Sequence, residues 1–399
     1  MSVPVAHGHT GARTIARRML VTIALIAYGL VFSELFVRIL APQPLMSRYI
    51  TGTPWGVRGN IPNARYWHHT PEVDVQYRIN SQGLRADRDY PLRKPDGTCR
   101  IAIFGDSFLV GYELDLRDTF AVRLEQQLRA RGYRVEVLNF SVSGFGTAEM
   151  LRTYTEFARK FDPDVVLFSW HLTDVDDNVR SGLYRLRDDG QLEDTHANYL
   201  PGIATQDYLM RFRLYRFVSD NSQLYALLRE RIGLFLKRFV TQLRQMHPTS
   251  HPAPVAADAG SEDEEDAARA AQSQANDDLS SAVVARAAQT VTADGKDFYM
   301  LEIPTRITRV KFRSSIDVLS ADVRSHINVI SPLAVFAKAA RPDRKIYYER
   351  GHGHYTPYGV NLVVDETVNT MSSSARLATC ADGSGAPSKS TGSAGTLRP

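Results

Sequence analysis

Gly105-Asp106-Ser107-Phe108 follows directly on a short apolar run, Arg100 to Phe104. A tight turn there presents the Ser107 hydroxyl at the carboxyl end of a buried strand, the edge where open α/β sheets place their sites. Such a hydroxyl is a candidate nucleophile for acyl transfer once a neighbouring base can take its proton. Late in the chain Gly351-His352-Gly353-His354-Tyr355-Thr356-Pro357-Tyr358-Gly359 brings histidine to the same edge, just before an amphipathic helix. Two further polar blocks end strands at that edge. Asn139 to Gly146 (NFSVSGFG) contains a bare glycine amide that can approach a developing oxyanion, and Ser169 to Asn178 reads SWHLTDVDDN. Each block alone reads as an ordinary loop, since Gly, Asp and Ser are the commonest turn residues. Four of them at one edge outweigh that reading.

The elements that must position these blocks alternate in type. Strands are expected at Arg100 to Phe104, Val135 to Leu138, Val165 to Ser169, Phe298 to Ile303 and near Ile327 to Ile330. Between them fall helical patterns: Phe120, Leu124 and Leu128 on one face, then Thr147 to Lys160, then Ser281 to Thr290, with a last helix from Tyr358 to about Met371. The alternation predicts an α/β fold, five parallel strands with helices on both faces. Residues 99–375 form this domain, with an insertion over 179–280. Its Pro/Ala-rich acidic part, 249–280, has a composition that cannot build a core and is expected to be disordered, Glu262 to Asp266 being a solvated loop. Residues 41–98 read as a strap whose one strand-like piece is Val73 to Asn80, and 376–399 as a disordered tail.

In this order the blocks resemble the SGNH/GDSL hydrolase family, particularly its membrane-anchored bacterial members. The resemblance rests on Asn80-Ser81-Gln82-Gly83-Leu84-Arg85, Gly105 to Phe108, Val137 to Thr147, Thr173 to Asn178 and His354 to Gly359, and covers residues 70–180 and 280–370. It implies a flavodoxin-like three-layer α/β/α sandwich. It also implies that Ser107 attacks an ester carbonyl while His354 removes its proton and returns it to the leaving alcohol. The backbone amides of Ser107 and Gly144 would hold the oxyanion. Two positions depart from the family. Thr173 stands where a third oxyanion donor, Asn, is usual, and His352 and Gly351 stand where an acid commonly precedes the histidine. Three explanations stay open for that acid: a dyad oriented by a backbone carbonyl or by a neighbour such as His352, substitution by Glu349 or a distant Asp, or loss of efficient hydrolysis.

From Met19 to Leu40 the chain is apolar apart from Glu34 and Arg38, long enough to span a bilayer, and Arg13, Arg17 and Arg18 precede it. Basic flanks stay in the cytoplasm, so residues 1–18 are read as cytoplasmic, 19–40 as an inner-membrane anchor and the main domain as periplasmic or otherwise extracytoplasmic. No small-x-small site follows the apolar run, which favours an uncleaved anchor over a signal peptide. Glu34 and Arg38, one turn apart, can pair or snorkel. Such a tethered domain is expected to act on acetyl or other acyl esters of envelope or exopolysaccharide, or on small esters, beside polysaccharide-export machinery. The same chemistry suits an O-acetyltransferase, and a weakened site suits a carbohydrate-binding or assembly subunit.

The composition excludes other classes. A net charge of +4, from 48 basic and 44 acidic side chains, gives no nucleic-acid footprint, and 43% hydrophobic residues exclude global disorder. Cys99 and Cys380 cannot form a zinc cluster; whether they bridge depends on a separation the sequence does not give. His352 and His354 with His171, Asp174, Asp176 and Asp177 lack strict ligand spacing, so no metal and no cofactor is expected. Asp176-Asp177-Asn178 suits a helix N-terminus. His68-His69, beside Tyr66 and Trp67, reads as a packed or carbohydrate-facing surface.

Overall fold

The computed structural model describes residues 9–46, 48–246, 262–350 and 352–381. The first eight residues, the 249–261 part of the acidic stretch and the tail from 382 onward therefore lie outside the described residues.

The chain opens with helix α1 (His9–Leu40). Its Thr14–Leu40 portion, 27 residues, is long and apolar enough to cross a membrane. The strap then forms a hairpin, β1 (Arg65–His69) paired antiparallel with β2 (Asp74–Arg78). Only the second of these strands was expected. Alternation buries Tyr66 and His68 on one face with Val75 and Tyr77, and leaves Trp67 and His69 exposed on the other.

Five strands make the main sheet: β3 (Cys99–Phe104), β4 (Val135–Asn139), β5 (Val165–Trp170), β6 (Asp297–Glu302) and β7 (Asn328–Ile330). All pair in parallel, in the spatial order β7-β6-β5-β3-β4. This is the flavodoxin-like order, with its switch at β3, so the crevice beyond the carboxyl ends of β3 and its neighbours is the topological place for a site. Strands β3 and β5 are buried throughout, as parallel strands covered on both faces must be.

Helices cover each face. On one side α3 (Phe120–Ala130) and α11 (Pro357–Met371) pack Leu124, Leu128, Val360 and Val364 against Ile101, Ile103, Val165 and Leu167. On the other, α4 (Thr147–Glu156) and α9 (Glu262–Ala293) pack Met150, Tyr154, Val284 and Val291 against Ala102, Phe104, Val166 and Phe168. The three-layer α/β/α sandwich is thus the fold. Between these run α2 (Ser107–Val110), α5 (Thr173–Ser181), α6 (Ile203–Leu209), α7 (Arg213–Asn221), α8 (Gln223–Met246) and α10 (Leu333–Ala339), and α12 (Ala375–Ala378) ends the fold.

Two expectations about disorder need correction. Residues 262–280 continue α9 rather than looping into solvent. Their Ala, Glu and Gln content cannot build a core but has high helix propensity, and once Val283, Val284, Ala287 and Val291 are buried the helix extends outward at little cost. Residues 376–381 are likewise part of the fold. Cys380 is joined to Cys99, the first residue of β3, with their Cα atoms 5.8 Å apart, and Leu377 is buried.

Candidate active site

The turn after β3 explains the first motif. A Cβ on Gly105 would lie 2.5 Å from Ser169 Oγ and 2.8 Å from Leu109 Cβ, so only glycine lets this turn sit between β5 and α2. Asp106 caps α2, its carboxylate accepting from Phe108 N–H at 2.9 Å. Ser107 is therefore the first residue of α2, held at the strand end.

The last motif is built by capping as well. Thr356 accepts from Gly359 N–H at 3.2 Å and Pro357 occupies the first turn, which starts α11 directly after His354. Tyr348 N–H donates to the His354 carbonyl at 2.8 Å, tying the loop to the segment before it. The consequence is a contact across 247 residues: His354 Nε2 lies 2.7 Å from Ser107 Oγ. The imidazole is buried against Phe108 and Tyr112, ring centroids 4.8 and 5.2 Å away.

On its far side His354 Nδ1 lies 3.1 Å from Oε2 of Glu113, whose side chain is fully buried. Glu113 also accepts backbone N–H bonds from His352 on Oε1, at 3.0 Å, and from His354 on Oε2, at 3.1 Å. Both amides converge because Gly353 between them takes φ +76°, the left-handed region that glycine adopts without strain. Burial opposes the Glu113 charge, but the hydrogen bond and charge of His354 with these two amides outweigh it and hold the carboxyl down at about 2.

Glu113 was not among the expected residues. Glu349, which was, pairs with Arg309 and with Lys345, the latter at 3.4 Å, away from the imidazole. His352 contributes its amide to Glu113, while its ring packs edge-on to Tyr112 and His68, with centroids 4.9 and 5.6 Å away. A signal for Glu113 does exist in the sequence: it is the one charge in the run Phe108 to Leu114, whose Leu109, Val110 and Leu114 are buried. A charge inside such a run must find a partner.

The expected oxyanion donors other than Ser107 sit in the loop after β4 and at the start of α5. Gly144 has φ +78°, and its carbonyl accepts from Arg58, which is itself paired with buried Glu149 at 2.7 Å. Thr173 starts α5, is exposed, and its Oγ1 lies 2.8 Å from His171 Nδ1. His171 stands by Phe108, ring centroids 5.4 Å apart, and burial holds it below the usual histidine range. Asp176 lies in the first turn of α5, as a helix N-terminus suits, with Asp177 directly after it paired with Arg180. Asn178 turns inward, where its Oδ1 accepts from Ala148 N–H at 2.8 Å in the first turn of α4. Among the described residues no three His, Cys, Asp or Glu side chains gather as a metal site.

The strap braces these loops. Asn80 accepts from the N–H groups of Gln82 and Leu84, at 3.0 and 2.8 Å, shaping the Asn80 to Arg85 turn. Asn60 donates both to the Gly83 carbonyl and to that of Ser141, joining this turn to the loop after β4.

No protein-family model and no curated protein matches the chain in sequence. Among solved structures it is similar to TesA, with 15% identity, a TM-score of 0.36, and 68% of this chain and 97% of that one covered. It is also similar to a putative lipolytic protein of the G-D-S-L family from Desulfitobacterium hafniense, with 9% identity, a TM-score of 0.33, and coverage of 68% and 99%. A third similar structure is a catalytic mutant of an acetylxylan esterase from Geobacillus stearothermophilus, with 10% identity, a TM-score of 0.33, and coverage of 68% and 93%.

Proposed function

We propose that this chain is a serine esterase of the SGNH type, tethered to the inner membrane by α1 with its catalytic domain outside the cytoplasm. The observation that carries this reading is the single line of contacts from Ser107 Oγ through the His354 imidazole to the Glu113 carboxylate.

In the proposed reaction the Ser107 oxygen bonds to the acyl carbon as His354 Nε2 takes its proton. Glu113 stabilises the resulting imidazolium through Nδ1–H. The tetrahedral oxyanion is held by the amides of Ser107 and Gly144, with the Thr173 hydroxyl as a third donor. His354 then protonates the departing alkoxide, the C–O bond breaks, and the acyl group stays on Ser107. Water, deprotonated by the same imidazole, releases it as the carboxylic acid. A filled acid position supports turnover over a binding-only role. The Cys99–Cys380 bridge supports an oxidising compartment, and hence the extracytoplasmic placement. The substrate we propose is an acetylated envelope polysaccharide or exopolysaccharide.

The test is labelling by a fluorophosphonate together with turnover of p-nitrophenyl acetate. Both are expected in the wild type and absent in Ser107→Ala; a folded wild-type protein that forms no Ser107-dependent adduct refutes the enzyme reading. Release of acetate into water, rather than its transfer to an added sugar hydroxyl, separates esterase from O-acetyltransferase.

A further inference from the structure

The outer end of α1 does not leave the domain as a loose tether. Glu34 accepts from the N–H groups of Gln223 and Leu224, both at 2.9 Å, and from Ser222 Oγ at 2.7 Å, so it caps α8 from another helix. Arg38 donates to Glu34 at 2.8 Å and to the Asn221 carbonyl at 2.5 Å, and Val37 is buried. Glu34 lies six residues before the end of α1 at Leu40, about 9 Å along the axis at the rise of an α-helix. The α7–α8 junction is thereby held within about 9 Å of the outer end of the candidate spanning helix.

Beside that junction the surface is apolar. Tyr208 and Phe212 meet edge to face, ring centroids 5.6 Å apart, and are both exposed, as are Leu214, at 75%, and Phe217, at 65%, on α7. On α8, Leu228, Ile232 and Phe235 recur at helical spacing and are exposed too. Exposed basic residues lie among them: Arg211, Arg213 and Arg216. Of the acids in α6, α7 and the first half of α8, Asp207 is paired with Arg48, Asp220 is half-buried, and Glu230 is exposed between Arg229 and Arg231. Exposed large apolar side chains interleaved with arginine are what a helix lying in a lipid headgroup layer presents.

We infer that α6, α7 and the first half of α8 form a face that beds into the outer surface of an anionic bilayer next to the anchor. It holds the domain at a fixed tilt rather than on a swivel. The inference rests on α1 spanning the membrane. Its occupant is lipid because the same polypeptide already fixes the bilayer there, and the basic residues match anionic headgroups.

The full chain, with its native cysteines bridged, is reconstituted in phosphatidylcholine vesicles with and without phosphatidylglycerol. Bimane is attached at Leu214→Cys, Leu228→Cys or, within the anchor, Ile26→Cys; lipids carrying a shallow nitroxide serve as quencher for the two face labels and lipids carrying a deep one for the anchor label. The expected result is loss of fluorescence at Leu214→Cys and Leu228→Cys in anionic vesicles. Adding Arg211→Glu, Arg213→Glu and Arg216→Glu together should reverse most of that loss. Quenching at Ile26→Cys alone overturns the inference and leaves the anchor intact. Quenching at none of the three removes the anchored reading itself. Unquenched face labels that crosslink between copies assign the face to self-association and overturn the lipid assignment.

Discussion

In the proposed reaction Glu113 decides how well His354 acts: a buried carboxylate at Nδ1 would set the tautomer that leaves Nε2 free to take the Ser107 proton, and would favour the imidazolium formed in the transition state. Glu113→Gln keeps the shape but places an amide where two backbone N–H groups and the imidazole all donate. Esterase turnover is expected to fall by about 10³ to 10⁴-fold, in line with loss of a triad acid. A loss of less than about tenfold in p-nitrophenyl acetate turnover would place Glu113 outside the triad. His68 makes a second residue-scale prediction. It is fully buried, and burial with the charge of nearby His352 holds it at about 3, against 6.5 when unfolded. Its folded-state value is depressed, so the stability it contributes is complete above pH 6.5 and is lost as pH falls from there towards 3. The loss amounts to about 1.4 kcal/mol per pH unit. Thermal unfolding measured between pH 7 and pH 4 should show a shallower decline in His68→Phe than in the wild type.

At the scale of elements, the site is two loops meeting at one sheet edge. The segment running from the end of β3 through α2 to Leu114 carries Ser107 and Glu113, and the loop before α11 carries His354. The second loop closes on the first through the two amides around Gly353. An alanine at 353 forces an L-residue to φ +76°, at a cost of roughly 1–2 kcal/mol, or swings one amide off the carboxylate. Gly353→Ala is expected to lower kcat for an activated ester more than it raises KM, because Glu113 and His354 lose alignment while the acyl pocket is untouched. A change confined to KM would show that the loop serves binding instead. The strap acts on the other side: the Asn80 turn and Asn60 brace the Ser141 loop beside Gly144, which gives the Asn80 to Arg85 block a structural role.

For the whole molecule, the Cys99–Cys380 bridge closes a loop of 281 residues around nearly the entire catalytic domain. It pins the C-terminal segment to the start of the strand that carries Ser107. Reduction, or Cys380→Ser, should lower the unfolding free energy by about 2–4 kcal/mol, read as a lower urea midpoint for the detergent-solubilised protein. An unchanged midpoint would mean the bridge adds nothing that packing of Leu377 and α11 does not already supply. Glu34 of α1 on the start of α8 and this bridge tie the first and last described elements to the fold.

The sequence by itself determined the sheet. The three central strands β3, β5 and β6 are short, mostly apolar runs, and burial on both faces leaves that pattern no other use. It also marked Ser107 and His354, because a turn motif and a capped helix start are local and carry their own residues. What it could not supply were the contacts between loops far apart in the chain. Glu113 lies 241 residues from the histidine it holds, in a run that reads as core, while Glu349 is near His354 in sequence and turned towards arginine and lysine. The long helix over residues 262–293 shows the same limit: its composition argues against a core, and only the packing of its last turns makes the rest helical. The pairing of Cys99 with Cys380 is likewise a distance in space, set when β3 and the C-terminal segment meet. Periodicity encodes what a segment buries; which buried groups face one another is fixed only once the layers close.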